Sequence, residues 1–302
     1  MLFVSGAFLA VIFDHLYQNL ICKPLNKLTL TILTSHLDSN WIKSIAKAGF
    51  MAKGLVYSLV GLLAIMSAFH LGGQKSENSD QTGVFKFIEE QPAGKIILLI
   101  VAIGLLCYSI YRFIQTFLDT EKKGTKMSGL AKRFTYFFSS ATYLFISFLA
   151  FKVFADKKDS GGGNTKQDAI STLLQEDYGK WLLIAAAIII AGIGLYQIWY
   201  GNSEKYKKHI DTQKLGVNAS RYLLRAGKVG YIARGIVWLI ISFLFFKATM
   251  NGKPSEAGST SSAFSFIQDA SYGTYLLAAL GLGLICYGVF NFVRAAYEKF
   301  KV

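Results

Sequence analysis

The sequence predicts an all-α polytopic membrane protein, with six transmembrane helices arranged as three tandem hairpins in pseudo-threefold symmetry. Three observations carry that prediction. The first is the length of the apolar runs. Of 302 residues, 53% are hydrophobic and only 17% charged, against about a quarter charged in soluble domains. The apolar residues gather in six blocks, near 54–71, 96–117, 134–154, 181–200, 235–250 and 274–293. About 20 helical residues, at ~1.5 Å each, cross a hydrocarbon core of ~30 Å. The second observation is internal recurrence. KAGFMAKGLVY at 47–57 returns as KVGYIARGIVW at 228–238, and GLLCYSIYRF at 104–113 returns as GLICYGVFNF at 283–292. The third is charge placement. If the N-terminus, the second and fourth connections and the C-terminus share one side, that side holds 21 Lys and Arg. The other side holds fewer than half as many, while acidic residues run the opposite way, 7 against 11. This is the positive-inside pattern, and it places both termini in the cytoplasm.

The same placement excludes several function classes. A net charge of +14 suggests nucleic acid, but the basic residues flank membrane spans. Their expected partners are the bilayer itself and its anionic lipid headgroups, at about 1 kcal/mol per residue near the surface. No Gly-x-Ser-x-Gly elbow is present, and His15, His36, His70 and His209 have no Cys or carboxylate at a useful spacing. The chain is therefore not expected to be an enzyme, nor to hold a metal or a cofactor. Cys107 and Cys286 occupy equivalent repeat positions inside spans and read as small packing residues. No Asp or Glu falls within the six blocks, which argues against a proton-coupled transporter.

Taken in order, residues 1–40 form an N-terminal extension, poorly ordered or interfacial. Its apolar run at 2–13 is too short to span and lacks the features of a signal peptide. A single membrane domain follows over 41–302, with repeats near 41–120, 127–202 and 220–302. In repeat one a first span leads to the polar loop LGGQKSENSDQTG. A short amphipathic helix near 84–90 follows, with Val84, Phe87 and Ile88 on one face, and Pro92 and Gly94 end it. Repeat three follows the same plan, with loop NGKPSEAGSTSS, an apolar face of Ala263, Phe264 and Ile267, and Gly273 opening the last span. Repeat two diverges. Ser139 and Ser140 replace the Lys-Gly and Arg-Gly pairs of its lead-in stretch, and Ile170, Leu173 and Leu174 supply its interfacial face. Hairpins inserted in the same orientation are related by an axis along the membrane normal. Small residues four apart, such as Ala187 and Ala191 or Ala279 and Gly283, allow close helix approach. Gly281, Gly283 and Gly288 predict that the last span is the most buried.

The lead-in pattern (basic, Gly-aromatic, Ala-Arg-Gly or Ala-Lys-Gly, then Val-aromatic) resembles the family catalogued as domain of unknown function 1206. So does the succession of amphipathic helix, Gly-Lys and apolar run. The resemblance covers about 41–300 and implies a bacterial integral membrane protein of three two-helix repeats, which is expected in the inner membrane. It transfers no catalytic residue. The degraded lead-in of repeat two and the first 40 residues depart from the pattern.

Two groups of residues are candidates for a site. Lys53 and Arg234 stand before Gly54 and Gly235 and are expected on the first turn of their helices. There they would act as membrane anchors or as contacts for an anion or lipid headgroup. Each even-numbered span also carries a trio at its basic end: Tyr108, Arg112 and Gln115; Tyr196, Tyr200 and Ser203; Tyr287, Asn291 and Arg294. Intervals of four and three put each trio on one helical face. If the even spans line the axis, Tyr108, Gln115, Tyr196, Tyr200 and Tyr287 would line a vestibule whose anion contacts are Arg112, Asn291 and Arg294. The opposing expectation is an aromatic belt with basic anchors. Two function classes follow. One is binding or passage of a small anionic solute or ion through the bundle. The other is a structural or accessory role, binding anionic lipid or another membrane protein. An open axis favours the first and a filled axis the second; partner and oligomeric state stay open.

Overall fold

The computed structural model describes residues 39–118, 127–155, 178–214, 216–253 and 257–299. Eight α-helices lie in these ranges: α1 Ser39–Ala68, α2 Gln81–Glu89, α3 Gly94–Phe117, α4 Met127–Phe154, α5 Gly179–Asn202, α6 Val217–Asn251, α7 Thr260–Gln268 and α8 Gly273–Tyr297. Six of them (α1, α3, α4, α5, α6 and α8) are long and apolar enough to cross a membrane. The chain is a multi-pass membrane protein. Ser39 and Asn40 begin α1; the rest of the predicted N-terminal extension, and Ile170, Leu173 and Leu174, lie outside the described residues.

The odd helices of repeats one and three are longer than their apolar blocks. The block 54–71 starts at Gly54, but α1 starts at Ser39, so Lys53 lies about 14 residues, or roughly 21 Å, along the helix. Arg234 similarly stands at the middle of the 35-residue α6. Neither is on a first turn, which corrects the expectation. The polar lead-in is helical because its interior face has partners: Ile42, Ala46 and Phe50 are buried on one side of α1. Apolarity marks where a helix meets lipid, whereas hydrogen-bonded helix continues wherever the protein covers one face.

Helix packing follows a cyclic rule. The second helix of each repeat packs against the first helix of the next, giving α3 with α4, α5 with α6, and α8 with α1. Small residues at equivalent positions make these contacts. A Cβ on Gly54 would stand 3.0 Å from the Gly288 carbonyl oxygen, and one on Gly235 would stand 2.8 Å from that of Gly194. At the same place in repeat two, Ser140 donates to the Ser109 carbonyl (2.9 Å) while Ser109 donates to that of Ser140 (2.8 Å). Two turns further on, Ser147 donates to the Ala102 carbonyl and Ser242 to that of Ala187 (2.8 and 2.7 Å). Interhelical packing through small residues and hydroxyls is what holds helices together in lipid.

Within repeats one and three the hairpin closes through a second set of glycines. Gly49 lies against the Tyr108 backbone and Gly230 against that of Tyr287, where an added Cβ would come within 2.6 and 2.5 Å of Cα. Repeat two has Thr135 at the position of Gly49 and, counting back from Gly194 as from Ser109 and Gly288, Ile189 at that of Gly104, with Gly192 one turn further on. A Cβ on Gly192 would meet nothing within 4 Å among the described residues. Among the described residues α4 and α5 have next to no contact, whereas α1–α3 and α6–α8 pack along their length. Among the described residues the pseudo-threefold ring is therefore without direct helix contact in one place, inside its divergent repeat. α1 is the most buried span, not α8, and α4 and α5 are the least.

The amphipathic helices cap the end opposite the basic side, with their apolar faces inward. Val84 and Phe85 of α2 and Phe264 of α7 are fully buried. Phe85, rather than the expected Phe87, completes the face of α2. Asp80 caps α2 by accepting from Gly83 N (2.9 Å), and Ser259 caps α7 by accepting from Ser262 N (3.2 Å), as short polar N-caps do. Ser76 with Ser265 (2.9 Å) and Ser67 with Gln268 (3.2 Å) link repeats one and three at this end.

Candidate anion site

The axis is filled with tyrosine rings and basic side chains. Lys53, 3% exposed, donates from Nζ to the Tyr108 hydroxyl at 3.2 Å. Its ammonium lies 4.6, 4.9 and 5.3 Å from the ring centroids of Tyr108, Tyr143 and Tyr287. Three electron-rich faces thus surround one buried cation, each attraction reaching about 2 kcal/mol when water is excluded. Arg234 repeats the arrangement in repeat three. It donates to the Tyr287 hydroxyl at 2.6 Å, and its guanidinium carbon lies 5.2 and 5.0 Å from the Tyr57 and Tyr287 rings. Tyr57 and Tyr143 join across the axis, hydroxyl to hydroxyl at 3.4 Å.

Towards the basic side the same cluster continues. Arg112 donates to the Tyr108 hydroxyl (2.9 Å) and to Gln115 Oε1 (2.7 Å), and Gln115 donates to the Tyr111 hydroxyl (2.9 Å). The Arg112 guanidinium also lies 5.0 Å from the ring of Tyr136 on α4. Arg294 stacks 4.1 Å from the Phe50 ring and pairs with Glu298. Asn291 is fully buried and donates to the Tyr287 carbonyl (2.7 Å).

Electrostatically this interior is unbalanced. Lys53 experiences the repulsion of Arg234, Arg112 and Arg294, and Glu298 is the carboxylate that counters them. Glu298 is already paired with Arg294, so the Arg112 and Arg234 guanidiniums and the Lys53 amine remain without an acidic partner among the described residues. Tyrosine hydroxyls and ring faces offset part of the cost, but a dipole does not neutralise a charge. Hydrogen-bonding capacity is also left over: Arg234 Nε and Asn291 Oδ1 are buried with no partner among the described residues. A cleft of about 30 Å³ reaches Arg234 from the capped end, between Tyr57, Gln81, Trp238 and Thr260.

The sequence-predicted residues divide by repeat. Lys53, Tyr108, Arg112, Gln115, Arg234, Tyr287, Asn291 and Arg294 come together. Tyr196 does not, being 49% exposed, stacked on Tyr200 and tilted against Trp199. Tyr200 meets the cluster only at its margin, against Tyr231 and Tyr206. The even-helix vestibule is thus corrected to a filled cluster to which the odd helices contribute Lys53, Tyr57, Tyr143 and Arg234. Sequence reasoning missed Tyr57, Tyr143 and Glu298. A signal for two of them exists, because Tyr57 follows Lys53, and Glu298 follows Arg294, by four residues, one helical turn on the same face. Arg133 was missed too; it is buried and donates to the Thr116 and Phe117 carbonyls that end α3 (2.7 and 3.1 Å).

Comparison with known proteins places this architecture. The chain is similar to "Uncharacterized protein YxxB" of Bacillus subtilis (strain 168), with 30% identity over 260 residues, covering 85% of this chain and 92% of that protein. No solved structure matches. The family model described as "Domain of Unknown Function (DUF1206)" matches three times, at 48–119, 134–203 and 229–298. Those segments coincide with the hairpins α1–α3, α4–α5 and α6–α8, and the chain belongs to the DUF1206 family.

Proposed function

We propose that the protein binds a phosphate-type anion at the Lys53–Arg112–Arg234–Arg294 cluster, in a bacterial inner membrane with both termini in the cytoplasm. One observation carries the reading: three basic side chains, two of them arginines, held inside a membrane bundle without an acidic partner among the described residues. Unpaired charge in such a place is costly, and membrane proteins that keep it use it. An arriving anion gains from every member of the cluster. Arginine is the side chain best shaped for phosphate oxygens, and Arg112 and Arg294 stand near the basic side where such a group arrives. The filled axis supports binding rather than conduction, since the Tyr57, Tyr108, Tyr143 and Tyr287 rings occupy the route between the two ends.

The test is thermal unfolding of the purified protein in neutral detergent, at matched ionic strength, with inorganic phosphate or dioctanoyl phosphatidylglycerol against chloride. Ligand at about 100 times its Kd stabilises by ~2.7 kcal/mol, which for a chain of this size is a rise of roughly 5–10 °C. Arg112→Gln should fold and lose most of that rise. A parent protein that responds to neither ligand overturns the reading and leaves the cluster a purely structural core of cations and aromatic rings.

A further inference from the structure

We infer that the cleft over Arg234 is a second binding site, for a small monovalent inorganic anion of halide size, taken up from the end opposite the basic side. It shares Arg234 with the cluster above, but its ligand and its approach are different. Five side chains with polar groups line it, and four helices bring them together: Tyr57 from α1, Gln81 from α2, Arg234 and Trp238 from α6, and Thr260 from α7. Gln81 and Thr260 are the first residues of the two capping helices, so the helices that cover this end also set polar groups at the rim of the cleft. Arg and Trp side chains only donate hydrogen bonds, and those of Tyr, Gln and Thr can donate. Tyr143 donates to the Tyr57 hydroxyl, which leaves the Tyr57 proton for another acceptor. No carboxylate stands among the described residues that line the cleft. Asp80, beside Gln81 in the chain, accepts from the Gly83 amide at the α2 cap. Donors gathered around a guanidinium select an anion.

Size and charge narrow the class. A water molecule needs about 10–15 Å³ of such space, so a cleft of about 30 Å³ takes one or two groups of that size. A halide is little larger than water, whereas phosphate carries four oxygens around its phosphorus. Arg234 has capacity to spare: one terminal nitrogen donates to the Tyr287 hydroxyl, and Nε has no partner among the described residues. A single negative charge balances a single guanidinium. The rest of the wall is apolar, formed by Val60, Val237, Ile241 and Leu284. Such a wall favours an ion that sheds its water readily, and it strengthens the attraction to Arg234 by lowering the local dielectric. Beyond Arg234 the Tyr57 and Tyr287 rings lie against its guanidinium and fill the axis, so the cleft ends there as a binding site rather than continuing as a channel.

Trp238 reports on the site directly. In full-length protein carrying Trp41→Phe, Trp181→Phe and Trp199→Phe it is the remaining tryptophan, and iodide quenches its fluorescence. Iodide is titrated against gluconate at constant ionic strength in phosphate-free buffer. Bound iodide is expected to quench saturably, and chloride to relieve that quenching. Quenching that rises linearly and ignores chloride is random collision and overturns the site. Arg234→Gln should weaken the saturable component about 10-fold or more, while neutral acrylamide quenches as in the parent because the cleft is still formed. Saturable quenching unchanged by Arg234→Gln overturns the assignment. If that variant does not fold, Thr260→Val decides: loss of its hydrogen bond should weaken iodide about 2- to 10-fold, and unchanged affinity overturns the assignment. Inorganic phosphate that displaces iodide as well as chloride does also overturns it, since the cleft would then admit the larger ion. The outcome is separable from the phosphate reading. A parent whose melting temperature responds to phosphate while iodide quenches linearly removes the halide site alone. Saturable iodide quenching without any thermal response to phosphate or phosphatidylglycerol removes the phosphate reading alone.

Discussion

Exchanging the single methyl group between Gly104 and Ala52 tests the close packing that brings Lys53 to Tyr108. A Cβ added at Gly104 on α3 would stand 2.5 Å from Cβ of Ala52 on α1, whereas carbon atoms in contact prefer about 3.5–4.0 Å. Gly104→Ala therefore forces α1 and α3 apart by about 1 Å or more. Overpacking of that kind costs about 1–3 kcal/mol, a fall of roughly 2–12 °C in melting temperature for a chain of this size. Ala52→Gly alone removes the methyl and loosens the helix, at about 1 kcal/mol. The double variant moves the methyl from one helix to the other, so the collision disappears and only the helix-propensity change remains. The expected cycle is strongly non-additive, with the double variant more stable than Gly104→Ala and a coupling of about 1–2 kcal/mol. Unfolding by graded addition of a denaturing detergent to protein in mild detergent measures all four forms. Additive losses would show that the two helices do not meet through this pair and would refute the packing argument, in repeat three also, where Gly283 faces Ala233.

Further outcomes are expected elsewhere. Lys53→Met keeps the length of the side chain and removes a buried charge, so it should raise the melting temperature without ligand and abolish any response to phosphate or phosphatidylglycerol; destabilisation without ligand would show that the ring faces already satisfy the cation. Gly235→Leu should lower the folded yield, since even a Cβ there would come within 2.6 Å of Ile198 Cγ1; normal yield and melting would place that face towards lipid. Burial holds the Asp80 carboxyl above its ordinary range, against the opposing pull of the Gly83 and Thr82 amides. An acid whose folded pKa is raised favours folding below its unfolded value and loses that contribution as pH rises through the folded one. Asp80→Asn keeps an oxygen for the cap, so its stability relative to the parent should increase from pH 4 to pH 7. Asp80→Ala, which loses the cap, should cost about 1 kcal/mol. Equal pH profiles for the Asn variant and the parent would sink the argument. For topology, cysteines replacing Asn78 and Ser259 should react with an impermeant reagent in intact cells and one replacing Lys207 should not; the reverse pattern inverts the orientation.

The sequence by itself determined the membrane class, the six spans and the threefold repeat, because apolar run length and charge placement are local quantities that the bilayer reads directly. It also determined which residues carry function-like chemistry: Lys53, Arg112, Arg234 and Arg294 are conspicuous as charges within or beside apolar blocks. Tertiary structure decided their surroundings. The depth of Lys53 and Arg234 was hidden because a helix covered by neighbours continues past the end of its apolar block, as α1 does through Ile42, Ala46 and Phe50. Whether the axis was open or filled depended on which helix faces meet, and single-span patterns do not encode that. Tyr57 and Tyr143 come from different repeats, and only packing brings their hydroxyls within 3.4 Å. The contact missing from repeat two lay between these cases. Ser139 and Thr135 are visible as departures in the chain, but that α4 and α5 have next to no contact among the described residues follows only once Gly49 and Gly230 are seen against the backbones of Tyr108 and Tyr287. Close approach of two backbones is a property of a pair of helices, and no residue carries it alone.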